Sequence, residues 1–139
     1  MKPFDQSLYD ADDNAKELVI TWLHTYGYSM EVNPDQYGID LVGFDNSGKP
    51  ITVEVEVKHH WTGPVFPFPT VHVSARKRKF IQPGMYLVMV SHDRKLCLSL
   101  SYEVLREARL ITKPTVYTLS EQFLEVDIDH SKIRLLTNG

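Results

Sequence analysis

Residues 51–58 read Ile51-Thr52-Val53-Glu54-Val55-Glu56-Val57-Lys58, and their strict alternation decides the fold. A strand sends successive side chains to opposite faces. Val53, Val55 and Val57 therefore share one face, and Thr52, Glu54, Glu56 and Lys58 share the other. The turn formers Asp45-Asn46-Ser47-Gly48-Lys49-Pro50 precede this stretch, and Tyr37 to Phe44 before them read as a second strand. A turn centred near Ser47 pairs the two strands antiparallel. It sets Asp40 opposite Glu54, with Glu56 as diagonal neighbour, at separations of about 5 to 8 Å. Two or three carboxylates then converge beside Lys58. Like charges that face each other on a sheet are unfavourable unless something neutralises them. A divalent cation would do so, and hard oxygen ligands favour Mg²⁺ or Mn²⁺. The other reading of this row is a solvated sheet face, as antiparallel sheets often present.

Outward from this hairpin the pattern is mixed. A helix is expected from about Asp12 to Tyr26, with Asp12 or Asp13 as its cap. Its apolar positions Ala15, Leu18, Val19, Trp22, Leu23 and Tyr26 recur at three and four, and Gly27 is a natural stop. A short strand is expected at Tyr28 to Val32. Trp61 to Thr70 is a proline-rich loop. A short helix is expected from Ser74 to Gln82, ended by Pro83-Gly84. Met85 to Val90 and Lys95 to Leu100 read as strands joined through Ser91-His92-Asp93-Arg94. A helix near Tyr102 to Arg109 and a strand near Thr115 to Leu119 complete the order, and the tail after Ser120 is ambiguous. The fold class is α/β, with a mixed central sheet flanked by helices.

The 139 residues suit one domain, with no repeat or linker. A net charge of −3 makes no global case for nucleic-acid binding, so any such case must be local. The single cysteine, Cys97, excludes an intrachain disulfide and a cysteine-rich zinc site, and its apolar strand setting reads as a buried thiol. No run approaches the roughly 20 apolar residues of a membrane helix. Met1-Lys2-Pro3-Phe4-Asp5 lacks the apolar core of a signal peptide. A soluble, cytoplasmic protein without membrane contact is the expectation.

Asp40 followed by Glu56-Val57-Lys58 resembles the pattern of the PD-(D/E)XK nuclease superfamily: an acid at the start of a hairpin and an acid-x-lysine in its second strand. Gly38-Ile39-Asp40-Leu41-Val42 looks like the segment with the first acid. The literal Pro34-Asp35 lies in the preceding loop, so Asp35 is the alternative; Asp40 is preferred because it falls on a strand with hairpin partners. The resemblance covers about Asp12 to Val90. It implies a restriction-endonuclease-like fold and a Mg²⁺-dependent (or Mn²⁺-dependent) DNA endonuclease, often a homodimer when small. It further implies that Asp40 and Glu56 hold the metal together with the Val57 carbonyl. Lys58 would orient or deprotonate the attacking water, or stabilise the phosphorane. Glu17 occupies the place of an extra glutamate and would be a secondary ligand; otherwise it is a glutamate suited to the helix dipole.

Arg76-Lys77-Arg78-Lys79 is the dense positive run, and its position after the acidic strand marks it for DNA phosphate contact rather than for a merely solvated patch. Val73, Phe80 and Ile81 would anchor this helix and leave Arg76, Arg78 and Lys79 outward, with Arg76 in reach of the scissile phosphate. Trp61, Phe66 and Phe68 suit packing better than base stacking. By parity His60, not His59, joins the polar face. A non-catalytic DNA- or RNA-binding module on the same fold is the alternative function, and an interaction protein with a solvated acidic face is a third.

Overall fold

The computed structural model describes residues 6–115 and 120–137. Strands β1 (Ser29–Val32), β2 (Leu41–Phe44), β3 (Pro50–Lys58), β5 (Met85–Ser91), β6 (Leu96–Ser101) and β9 (Ile133–Leu135) form one sheet in that order. The β3–β5 pair is parallel, with Glu54 beside Leu87, Glu56 beside Met89 and Lys58 beside Ser91. The other pairs are antiparallel. This is the mixed sheet expected from the order of the elements, and β3 lies inside it.

Each face of the sheet has its own cover. Helix α1 (Gln6–His24) lies on one face, where Ala15, Val19 and Leu23 pack with Leu41, Val53, Val57, Val88 and Val90. On the opposite face Leu87, Met89, Leu98 and Leu100 pack against a second sheet. That sheet runs β4 (Thr70–Ser74), β8 (Glu121–Asp127), β7 (Arg109–Lys113), all antiparallel, and buries Val71, Val73, Leu124 and Val126. Each fully buried aliphatic side chain contributes about 1.5–3 kcal/mol by leaving water. Alternate residues of β5 thus serve two cores, whereas β3 gives its apolar residues to the α1 side and turns its polar row toward the small sheet.

Several boundaries differ from the sequence reading. Helix α1 begins at Gln6, so Asp12 and Asp13 lie inside it and not at its start. No proline or glycine interrupts the chain from Gln6 to Tyr26, so the helix extends back past the expected cap. It ends as Gly27 allows: at φ +83° that residue leads the Tyr28 N–H back to the Leu23 carbonyl at 3.1 Å. Strand β2 begins at Leu41 and not Tyr37. The expected helix after the proline-rich loop is a 3-10 turn, Ala75–Phe80, and strand β4 precedes it. Val73 therefore anchors β4, not a helix. Helix α2 is only Tyr102–Leu105, capped by Ser101, and β7 takes over at Arg109. Of the expected strand Thr115 to Leu119, residues 116–119 lie outside the described residues.

The hairpin register matches the alternation argument. Leu41 faces Val53 and Phe44 faces Pro50. The turn closes on Gly48, at φ +83°, and the Asp45 carboxylate accepts N–H groups from Ser47 and Lys49 at 2.9 Å each. These bonds, first that of Lys49, hold the Asp45 carboxyl below its usual range. At Gly43 a side chain is excluded, because an added Cβ would lie 2.0 Å from the Ser29 carbonyl of β1.

Candidate active site

The site begins where β2 stops. Asp40 precedes β2, and its carboxylate continues the ladder in place of a strand: Oδ2 accepts the Val55 N–H at 2.9 Å. In return the Asp40 N–H donates to Glu54 Oε1 at 3.0 Å. Buried backbone groups must find partners, and this reciprocal pair supplies them at the open end of β3. By the alternation of a pleated strand, the Val57 carbonyl points to the same side as the Val55 N–H, beyond the end of β2.

Three carboxylates lie in or beside this row, and each meets a lysine. Lys16 of α1 lies 3.3 Å from Asp40 Oδ1. Lys77 of the 3-10 turn reaches inward to Glu54 Oε2. Lys58 lies 3.0 Å from Glu56 Oε1 and donates to the His72 carbonyl of β4 at 3.0 Å. The mutual repulsion inferred from the sequence is therefore largely offset by lysines from three different elements. Among the described residues no three His, Cys, Asp or Glu side chains converge to hold a metal ion by themselves. A cation here would depend on carboxylates together with a backbone carbonyl.

Burial separates the acids. Glu54 is 2% exposed, which excludes a solvated face at that position. Asp40 and Glu56 stay in contact with solvent, with side chains 20% and 35% exposed. Burial pushes the Glu54 carboxyl above its usual range; the Lys77 hydrogen bond opposes this and the Asp40 charge adds to it. Burial also works against the Lys77 charge, but Glu54, Asp40 and Glu56 together hold its ammonium above the usual lysine range. Glu54 and Lys77 thus form an inner ion pair that positions Asp40. Glu56 and Lys58 form the outer, accessible pair.

The other sequence candidates fall as follows. Asp35 stays in its loop, where it accepts the Tyr37 N–H at 3.0 Å, and Asp40 is the acid that faces β3. Glu17 is exposed on α1. It lies two positions from Ala15 and Val19, on the side of the helix away from the sheet, so the fold does not bring it to Asp40 and Glu56. Its neighbour Lys16 makes the contact instead. Arg76, Arg78 and Lys79 are exposed, and Arg76 bonds Glu121 of β8 at 2.7 Å. Lys77 is the member of the run turned inward, which removes it from the outward phosphate-contact set. His59 and His60 are both exposed beyond the end of β3. Trp61 and Phe66 are buried in the core, whereas Phe68 is 49% exposed. Cys97 is a buried thiol, pushed up to about 12 by burial.

The sequence reading missed Lys16, His72 and Lys113, and it gave Lys77 a phosphate contact where the structure pairs it with Glu54. His72 lies between charged neighbours on the small sheet: its Nε2 is 2.8 Å from Glu125 Oε2 and its Nδ1 is 2.7 Å from Lys113 Nζ. Glu125 also accepts from Arg109 at 2.9 Å. The His72 hydrogen bond first, then Arg109, hold the Glu125 carboxyl below its usual range.

No family model and no curated protein matches the chain. Solved structures do. A Holliday junction resolvase of Archaeoglobus fulgidus aligns over 84% of each chain, at 13% identity and a TM-score of 0.50. A bacterial homing endonuclease aligns over 85% of this chain and 74% of its own, at 19% identity and a TM-score of 0.51. The fold is restriction-endonuclease-like. No helix among the described residues is long and apolar enough to cross a membrane.

Proposed function

We propose that the protein is a divalent-cation-dependent DNA endonuclease of PD-(D/E)XK type, with Asp40, Glu56 and Lys58 at its centre. One observation carries this reading. On a restriction-endonuclease-like fold, the Lys58 ammonium is held between Glu56 and the His72 carbonyl, on the strand whose open edge Asp40 completes.

The donors fit a hard cation. Asp40 and Glu56 are the exposed acids of the row, and the Val57 carbonyl points toward the same open edge; these three would hold Mg²⁺ or Mn²⁺. When bound, such an ion supplies Lewis acidity at the phosphoryl oxygen and a lowered pKa for a ligated water. The chain's own residues supply the rest. Glu54 fixes Asp40 through its backbone N–H, and Lys77 bonds Glu54 and opposes the effect of its burial. Lys58, held at two points, presents its ammonium toward the scissile phosphate, where it orients the nucleophile and offsets developing charge. Arg78 and Lys79, with Arg76, contact flanking phosphates. A homodimer, with one site for each strand, and an intracellular setting belong to the same reading.

The offset of all three carboxylates by lysines favours one competing account, a DNA- or RNA-binding module without catalysis. Binding of Mn²⁺ separates the two. An ion that binds the folded site stabilises by about 2.7 kcal/mol at 100 times its dissociation constant. The parent protein should gain thermal stability with Mn²⁺, and Glu56→Gln should gain distinctly less. No shift in the parent, with or without DNA, would leave the binding-module account standing.

A further inference from the structure

Beyond Lys58 lies a pocket of about 550 Å³ that the mechanism above does not use. Its walls come from the end of β3 and the turn after it, the proline-rich loop, β4 and β7. They carry Lys58, His60, His72 and Lys113, and no aspartate or glutamate. The acids that pair with Lys58 and His72, namely Glu56 and Glu125, are not part of the lining. The pocket is mostly apolar, with Lys58 and Lys113 as its two lysines.

Its other wall is aromatic. Phe68 is 49% exposed and rests edge-on against buried Phe66, with centroids 5.9 Å apart. Phe66 in turn rests against Trp61 at 5.3 Å. The Phe68 ring is thus supported from behind. Trp61 is fully buried, and its indole N–H has no acceptor among the described residues. Lys113 is fixed as well: its ammonium donates to His72 Nδ1, which leaves the Nε2–H to donate to Glu125.

We propose that this pocket holds one unpaired nucleotide of a DNA strand, next to the phosphate presented to Lys58, with its base on Phe68 and its phosphate at Lys113. The proposal rests on the nuclease reading and narrows its substrate to DNA with an unpaired or branched position at the cut. The lysines suit a phosphate, and the apolar lining with its exposed ring suits a base. The volume is that of a site for a small molecule, not a groove for a duplex. A base inside a duplex is already stacked on both sides and has no face to offer Phe68. Every base has a π-face, so the pocket is tolerant of sequence.

Equilibrium binding in EDTA, where no strand is cut, tests this with a continuous duplex and the same duplex bearing one unpaired nucleotide. The parent should prefer the second by about tenfold, the order of one stacked base. Phe68→Ala and Phe68→Leu should remove the preference without weakening binding to the continuous duplex, and Phe68→Trp should keep it. The leucine variant retains apolar cover over Phe66, so its loss of preference reports stacking and not folding. Lys113→Ala should weaken binding to the unpaired DNA more than to the duplex. Equal, measurable affinity of the parent for both DNAs, or a preference that survives in Phe68→Ala, overturns the pocket and leaves the nuclease reading in place. Failure to bind either DNA overturns both.

Discussion

The two sheets divide the chemistry between them. The large sheet supplies acids: Glu54 and Glu56 come from β3, and Asp40 stands just before β2. The small sheet and the 3-10 turn beside it supply the groups that restrain this row, the His72 carbonyl on Lys58 and the Lys77 ammonium on Glu54. An acid row on a sheet face is by itself ambiguous between a site and a solvated surface. The small sheet covers part of the row, where Glu54 is buried, and leaves Glu56 in contact with solvent.

The sharpest way to break this division is at Lys58, where the two sheets meet. Lys58→Ala should lower single-turnover DNA cleavage by about 10²- to 10⁴-fold, the usual worth of a positioned acid–base or electrostatic group. Its DNA affinity, read in parallel, should change little, because phosphate binding belongs to other residues. Equal losses of affinity and rate would make Lys58 a phosphate-binding residue and not a catalytic one.

A smaller effect is expected at the basic run beside the small sheet. Neutralising Arg78 and Lys79 should weaken DNA binding across sequences. The log–log salt slope should fall by about 0.9 for every phosphate that the variant no longer neutralises. Lys77→Ala should behave differently, since its partner is Glu54. It should disturb Asp40 and cleavage, and leave the salt slope near that of the parent.

How much of this was legible in the sequence follows the same division. The hairpin of the large sheet announces itself because its strands are local: the alternation at 51–58 and the turn at 45–50 fix it and even the facing of Asp40 and Glu54, whereas β9 comes from the remote tail. The small sheet is assembled from remote pieces. Its β4 pairs with β8, from Thr70–Asp127 to Ser74–Phe123, so nothing near Thr70 marks it as a strand. Arg109 read as the end of a helix, and residues 110–113 as the connection after it, until Arg109 meets Glu125 and Asp127 across the sheet. Lys77 was hidden among like charges. Its inward turn depends on a short 3-10 element and on a buried partner more than twenty residues away.

The smallest effect expected is on titration, and it separates the sheets directly. Glu54, raised by burial, should take up its proton above the ordinary carboxylate range. Glu125 and Asp127, lowered by hydrogen bonds to His72 and Arg109 and to Arg109 respectively, should do so below it. The signs follow from linkage. A raised carboxyl binds its proton more tightly in the folded state, so the Glu54 contribution favours folding below its unfolded value and fades as pH rises through the folded one. The contributions of Glu125 and Asp127 are present above the unfolded value and are lost as pH falls through the depressed folded ones. Carboxyl carbon shifts followed by NMR between about pH 2 and 8, a range around the reference carboxylate values, should show Glu54 titrating first on acidification. The reverse order would contradict the assigned roles of the two sheets.

The central claim is that Asp40, Glu56 and Lys58 form a metal-dependent centre that cuts DNA, and cleavage tests it most directly. Plasmid, branched and single-stranded DNA incubated with the parent protein in Mg²⁺ or Mn²⁺ should be cut. EDTA should abolish the activity, and Glu56→Gln should lose it while still binding DNA. Intact DNA with the parent protein in both metals, or cleavage that persists in EDTA or in Glu56→Gln, would contradict the account.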